Sequence, residues 1–346
     1  MTTPTTDTAA VKPIAEDFKP TLERALAQHE AAEQVARDAV QRGLANVYLV
    51  GAGGSLAAMY PAHYELERGG AGFSTFIMTS NELNYRRPAQ LGERSLVVAG
   101  SHTGTTKETV RAAETAKAAG ATVVAVTRLE DSPLAKTADV AFAYGSEKTV
   151  YEAKQILLGQ LGFAVLKETG VDRDYAGIRR AFEALPDALY QTKVESDPRC
   201  HEIATRWKDE PVTYVLGAGP NYGVAYCLAM CYLQEMQWMH AASFNAGEFF
   251  HGAFEVVTDE TPWLVWAGED DTRPMAERAL TFLEQYSKKT IAVDTRDFSL
   301  PGVEDQFRPF VTPLALSTVM TRLPQHYEAV RGHSLDQRRY MFKVDY

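Results

Sequence analysis

The run Val47-Tyr48-Leu49-Val50-Gly51-Ala52-Gly53-Gly54-Ser55 returns, altered but recognisable, as Thr213-Tyr214-Val215-Leu216-Gly217-Ala218-Gly219-Pro220-Asn221. In each copy a short apolar stretch of β type breaks into a glycine-rich turn, and residues with helical spacing follow. Glycine suits such a turn because the chain must reach positive φ or approach a ligand closely. The helix behind it aims unpaired N–H groups into the loop. A strand-loop-helix unit of this kind is a phosphate cradle. Its duplication implies two pseudo-symmetric domains that handle sugar phosphates.

Working outward from the first copy, the pattern predicts strands at 47–50, 73–78, 95–99, 122–127 and 140–144, with helices at 55–67 and 105–119. From the second copy it predicts strands at 212–216, 263–266, 290–293 and 307–311, helices at 222–240, 274–286 and 314–330, and a loop over 241–250. A helical connector, 151–192, broken near Gly170, joins the two, and one or two amphipathic helices lie between Ile14 and Leu44. Strands that alternate with helices imply parallel sheets covered on both faces. The expected fold class is therefore α/β, two tandem doubly wound parallel-sheet domains built as αβα sandwiches. The expected division is 1–45 for an N-terminal tail and helix, 46–192 for the first domain with its connecting helices, 193–330 for the second, and 331–346 for a C-terminal tail folded over the active site.

Composition agrees with that plan. A chain of 346 residues suits two domains of about 150 residues. Its hydrophobic content of 45% supplies two cores, and no run approaches the ~20 apolar residues of a membrane span. The start, Met1 to Lys12, is Thr-rich and lacks the basic and apolar regions of a signal peptide, so a short disordered tail and a cytoplasmic location are expected. The net charge of −10 opposes nucleic acid and anionic membranes as partners. Cys227 and Cys231 sit one helical turn apart in an apolar helix and Cys200 stands alone. No further ligand has suitable spacing, so buried thiols are expected and no metal.

The chemistry of the first half concentrates in Val97-Val98-Ala99-Gly100-Ser101-His102-Thr103-Gly104-Thr105-Thr106-Lys107-Glu108. A buried strand ends at Ser101, and four hydroxyls crowd the first turn of the next helix. Backbone N–H groups, hydroxyl donors and a helix N-terminus together favour a dianionic phosphate. One hydroxyl would satisfy a cap, with Thr105 and Glu108 as a capping box; four exceed that need. Ser55 is expected to face the same crevice, at the carboxyl ends of the strands where open α/β sheets bind ligands.

The Gly-x-Gly-x-Ser turn, with the doubled unit and the loop at Ser101–Thr106, resembles the SIS (sugar isomerase) fold over roughly residues 47–346. The second half resembles a narrower branch, the fructosamine-6-phosphate deglycases, nearest those that cleave 6-phosphofructose-aspartate. The resemblance is carried by Glu235-Met236-Gln237-Trp238-Met239-His240, by Ser243-Phe244-Asn245-Ala246-Gly247-Glu248-Phe249-Phe250-His251-Gly252-Ala253-Phe254-Glu255, and by Arg338-Arg339-Tyr340-Met341-Phe342-Lys343-Val344-Asp345-Tyr346. Two positions depart from it: the family usually has Pro at the place of Ala253 and Cys or a similar small residue at that of Ala52.

This resemblance implies the roles. Ser55, Ser101, Thr103 and Thr106, with Gly53, Gly54 and His102, would hold the phosphate; Glu235 would be the general base and His251 the group that opens the sugar ring. Lys343 aligns with a tail lysine that meets the open-chain ketose, and Glu147 and Lys148 match a loop near the sugar. Glu248 could orient His251, whereas Glu255 is a weaker candidate, and Trp238 and His240 are expected to pack. Abstraction of a carbon-bound proton beside a carbonyl asks for a carboxylate in a partly dry site, and imidazole moves protons near neutral pH. The implied activity is hydrolysis of a 6-phosphofructose-amino acid, aspartate-type or lysine-type, to glucose 6-phosphate and the free amino acid. No cofactor is implied, and each site would be shared across a homodimer. The alternatives are a sugar-phosphate aldose-ketose isomerase or glucosamine-6-phosphate deaminase of the same fold, and a non-catalytic sugar-phosphate-binding regulator. Fewer than 50 residues precede the first strand, too few for an added DNA-binding domain, and the start Met1-Thr2-Thr3 carries no cysteine nucleophile of a glutaminase.

Overall fold

The computed structural model describes residues 10–341 and 343–345, so the expected tail, Met1 to Lys12, lies outside the described residues over 1–9. Helices α1 (Phe18–Leu26) and α2 (His29–Gln41) lead into β1 (Asn46–Gly51), α3 (Gly54–Ala57), α4 (Tyr60–Gly69), β2 (Ser74–Thr79), α5 (Ser80–Arg86), β3 (Ser95–Gly100), α6 (Lys107–Ala118), β4 (Thr122–Thr127), α7 (Pro133–Thr137) and β5 (Val140–Ala143). Three helices follow: α8 (Tyr151–Glu168), α9 (Tyr175–Glu183) and α10 (Leu185–Trp207). The second half runs through β6 (Thr213–Gly217), α11 (Tyr222–Cys227), a π-helical segment (Leu228–Gln234), β7 (Ala241–Asn245), β8 (Trp263–Ala267), α12 (Arg273–Tyr286), β9 (Thr290–Asp294) and α13 (Arg308–Arg331).

All strand pairs are parallel, in the orders β2-β1-β3-β4-β5 and β7-β6-β8-β9. The two glycine-rich turns leave β1 and β6, and in both sheets the order reverses beside that strand. Such a reversal opens a crevice at the strands' carboxyl ends. The register sets Gly51 opposite Gly100, which brings the Ser55 turn beside the Ser101 loop.

Three expectations need correction, the first being the helix over 222–240, which is α-helical only to Cys227, continues as the π-helical segment and ends at Gln234. Residues 241–245 form an edge strand paired with β6 instead of a loop. Residues 307–311 are not a strand, because Pro309 stands in the first turn of α13, where a missing N–H costs nothing and a fixed φ favours the helix. The second sheet therefore has four strands.

One apolar core runs through both halves. It includes Leu49 and Val98 of the first sheet, Ile156 of α8, Leu264 and Trp266 of the second sheet, and Leu316 of α13. Helix α8 is buried nearly all round, as a helix at the centre of a large fold must be. Helix α10 passes unbroken through residues 192 and 193 and lies against α13. There Lys193 Nζ meets Glu152 Oε1 at 3.0 Å, and the Thr321 hydroxyl donates to the same carboxylate at 2.7 Å. Both charged groups are buried, and together they tie α8, α10 and α13.

Candidate active site between the two halves

Gly53, at φ +53, carries the first turn through a conformation that side-chain-bearing residues rarely adopt. This turn delivers Ser55 into α3, buried, with its hydroxyl accepting a hydrogen bond from Lys154 Nζ at 2.7 Å. On the adjacent loop the Ser101 and Thr106 hydroxyls lie 2.9 Å apart, and Gly104 N–H donates to Ser101 Oγ at 3.1 Å. Thr103 and Thr105 hydroxyls pair at 2.7 Å and remain exposed. Thr106 is the N-cap of α6, yet its side chain makes no capping bond. The capping-box reading of Thr105 and Glu108 therefore does not apply, and the hydroxyls cluster around a helix start left open to an acceptor.

His102 donates or accepts through Nδ1 with the Tyr144 hydroxyl at 2.7 Å. Burial, joined by the positive charges of Lys154 and Arg128, pulls the imidazole down to about 4. It is neutral at ordinary pH and serves as a hydrogen-bonding group rather than a cation. Arg128, the nearer arginine, is already engaged by Glu147.

The second cradle differs from the first. After β8, in the place that Ser101–Thr106 occupy after β3, stands Asp270, almost fully buried. Its carboxylate accepts from Asn221 Nδ2 at 2.7 Å, from the backbone N–H of Thr272 at 2.9 Å, and from the Thr272 hydroxyl. A built-in carboxylate thus takes the Asn221 side-chain donor of the second turn, and a phosphate there would face a like charge in a poorly screened place.

Glu235 follows directly on the π-helical segment, with its N–H bonded to the carbonyl of Met230 five residues back. Such π turns are frequent at functional sites. The preceding turns face the first half: a methyl group on Gly54 would stand 3.7 Å from Cys227 Sγ, and one on Gly53 would stand 3.6 Å from Cys231 Sγ. The segment that carries Glu235 therefore packs on the turn that carries Ser55. Cys227 and Cys231 are buried free thiols, as the sequence suggested, and burial raises the Cys227 thiol well above its usual range. Among the described residues, no group of His, Cys, Asp or Glu side chains is arranged to hold a metal.

The Glu235 carboxyl is partly buried, and desolvation raises its pKa despite the opposing charge of Arg338. Arg338 Nη2 lies 3.1 Å from Glu235 Oε1. The tail is held there by further contacts: Arg331 donates to the Gln237 carbonyl at 2.6 Å, Gln237 donates to the His333 carbonyl at 2.9 Å, and Arg339 stacks over the Trp238 ring. Trp238 and Gln237 thus pack against the tail. Lys343 is exposed, its backbone N–H bonded to Tyr340. His251 ends a 3-10 turn, Phe249–His251, and its side chain is exposed. Among the described residues no hydrogen bond or ion pair joins its ring to Glu235 or to the Ser55 and Ser101 loops.

The structure brings the turn of Gly53, Gly54 and Ser55 beside the loop that carries Ser101, His102, Thr103 and Thr106, and Glu235 follows the segment packed on that turn. His251 and Lys343 stand apart on the surface of the single chain. Sequence reasoning missed Lys154 and Asp270. Lys154 had a signal, a lysine beside Gln155 at the start of a helix that runs on through Ile156, Leu157 and Leu158, whereas nothing local marks Asp270 as a cradle's own occupant.

Two doubly wound halves with an open hydroxyl-lined turn in the first define an α/β protein of SIS type, and the model of the SIS domain matches residues 44–158. Fructosamine deglycase FrlB of Bacillus subtilis (strain 168) is 37% identical over 307 residues, 87% of this chain and 92% of the relative. The fructoselysine 6-phosphate deglycase of Escherichia coli (strain K12) is 26% identical over 309 residues, 88% of each chain. A solved Bacillus subtilis structure assigned to the phosphosugar isomerases superposes with a TM-score of 0.86 at 32% identity, covering 94% of this chain and 100% of that one. The chain belongs to the SIS-domain family, in the branch of the fructosamine deglycases, and is an enzyme. No helix among the described residues is long and apolar enough to cross a membrane.

Proposed function

We infer that the protein hydrolyses a 6-phosphorylated fructosamine to glucose 6-phosphate and a free amino acid. The observation that carries this reading is the packing of the Glu235 segment, through Cys227 and Cys231, onto the glycine turn of Ser55. In this reading the carboxylate is the proton acceptor and the turn is part of the phosphate cradle beside it. The Ser55, Ser101, Thr103 and Thr106 hydroxyls, the turn at Gly53 and Gly54, and His102 hold the phosphate. Glu235 takes a proton from C1 of the open-chain ketosamine, giving an enaminol. Return of a proton to C2 leaves an imine between C1 and the amino nitrogen. Water adds to that imine, and the amine leaves as the aldehyde of glucose 6-phosphate forms. Carbon-bound proton transfer is the demanding step, and a positioned base contributes ~10²–10⁴-fold.

His251 opens the sugar ring in this reading, from a second subunit. Its exposure supports that role, as does the apolar ground beside it: Phe250 packs on Phe282, which packs on exposed Tyr286. In this reading Lys343 approaches the substrate from the tail, and the protein works as a homodimer in the cytoplasm. The deglycase relatives favour this reading over aldose-ketose isomerisation. The test is turnover of mixed 6-phosphofructosamines, with products followed by mass spectrometry. Release of amino acid with glucose 6-phosphate is expected; interconversion of aldose and ketose phosphates without release of an amine would overturn it.

A further inference from the structure

Lys154 is 3% exposed, yet among the described residues no carboxylate stands within ion-pairing distance of it. Among the described residues, the one hydrogen bond its ammonium makes is donated to Ser55 Oγ at 2.7 Å. Other buried cations of the fold are paired: Lys193 with Glu152, Arg273 with Asp294, Arg322 with Asp197. Burying an ammonium without a counter-charge is costly unless an anion completes the site. The groups that face it are the neutral His102, the Tyr144 ring at 5.9 Å from Nζ, and the thiols Cys227 and Cys231. His102 is neutral and burial keeps the Cys227 thiol protonated, and Ser55 is the residue that links the ammonium to the glycine turn.

We propose that Lys154 is the counter-ion of the bound phosphate, an ammonium placed behind Ser55. This deepens the deglycase reading and rests only on its phosphate-binding part. The hydroxyls of Ser101, Thr103 and Thr106 are neutral, His102 is neutral, and Arg128 is engaged by Glu147, so Lys154 is the buried positive charge left for the ligand. Burial lowers its pKa to about 8 in the empty site. An adjacent dianion favours the charged form and raises it. Binding above that pH must therefore draw a proton from solvent.

The experiment is calorimetric binding of inorganic phosphate and of sulfate to the intact protein at pH 8.5, in buffers of different ionisation heat. Both ligands are dianions there and release no proton of their own. Uptake of about half to three-quarters of a proton per site is expected, vanishing at pH 6.5 with sulfate, where the amine is already charged. Cys227 stays protonated and His102 stays neutral across this range, and the Cys231→Ser variant, which leaves Lys154 in place, should keep the uptake. Lys154→Met should abolish the uptake and weaken the affinity about tenfold or more. Sulfate binding to the wild type without proton uptake, or the same uptake in the variant, would overturn the proposal. Should the variant fail to fold, the wild-type proton count decides alone. Phosphate binding with uptake but no turnover of 6-phosphofructosamines would instead overturn the deglycase reading and leave Lys154 in place.

Discussion

At the scale of the residue, Glu235 is the group on which the chemistry turns. Glu235→Gln preserves shape and removes proton-accepting power, so kcat should fall by ~10² or more while phosphate affinity stays close to wild type. A loss below tenfold in folded protein would remove Glu235 from the mechanism. Arg338 sharpens the case because it opposes burial at this carboxyl. Its charge favours the ionised form, and Arg338→Gln removes that influence, so the carboxyl's pKa rises further. A base works only when ionised, and the acid limb of the kcat/KM profile should move to higher pH. An unmoved limb would mean that another group sets it. The phosphate turn was legible in the sequence because glycines and hydroxyls recur at fixed spacing beside a strand end. The Glu235–Arg338 pair spans about a hundred residues and leaves no local pattern; Lys154 shows only as a lysine beside Gln155 at the start of a helix. The same limit hid Asp270, which closes a turn that looked from sequence as open as the first.

At the scale of the element, most strands and helices could be read from apolar periodicity, and the exceptions have physical causes. Ala241–Asn245 lacks the β-branched run of a strand and takes its form from pairing along β6. Phe307-Arg308-Pro309-Phe310-Val311 alternates like a strand, but its proline opens a helix whose partner, α10, decides the outcome. The helix predicted over 222–240 gives way to a π turn before Glu235, a distortion with no signature in composition. Where α8, α10 and α13 meet, the buried pair Lys193 and Glu152 holds the connector to the second half. Removing one partner leaves an unpaired buried charge, so Lys193→Met should cost about 3–5 kcal/mol in urea unfolding. Replacing both, Lys193→Met with Glu152→Leu, should recover most of that loss. Equal destabilisation by the single and double variants would show that packing volume, not charge, governs the junction.

At the scale of the whole molecule, the exposed His251 sets the final question. Glu235 is half-buried under the chain's own tail, whereas His251 faces outward beside apolar surface, with Val256 47% and Tyr286 47% exposed. A second copy seated on that surface would cover it and bring His251 to the neighbour's crevice. Subunit exchange distinguishes this arrangement from a site within one chain. Glu235→Gln and His251→Asn homodimers are each expected to be inactive. In a mixed dimer sharing sites across the interface, both lesions fall in one site, and the other site regains an intact Glu235 and an intact His251. Random exchange makes about half of all dimers mixed, each with one of two sites repaired, so about a quarter of wild-type activity should return. If both residues act within one subunit, every site in the mixture keeps one lesion. A mixture shown by native mass spectrometry to contain heterodimers, yet without recovered activity, would exclude the shared site and place ring opening within the single chain.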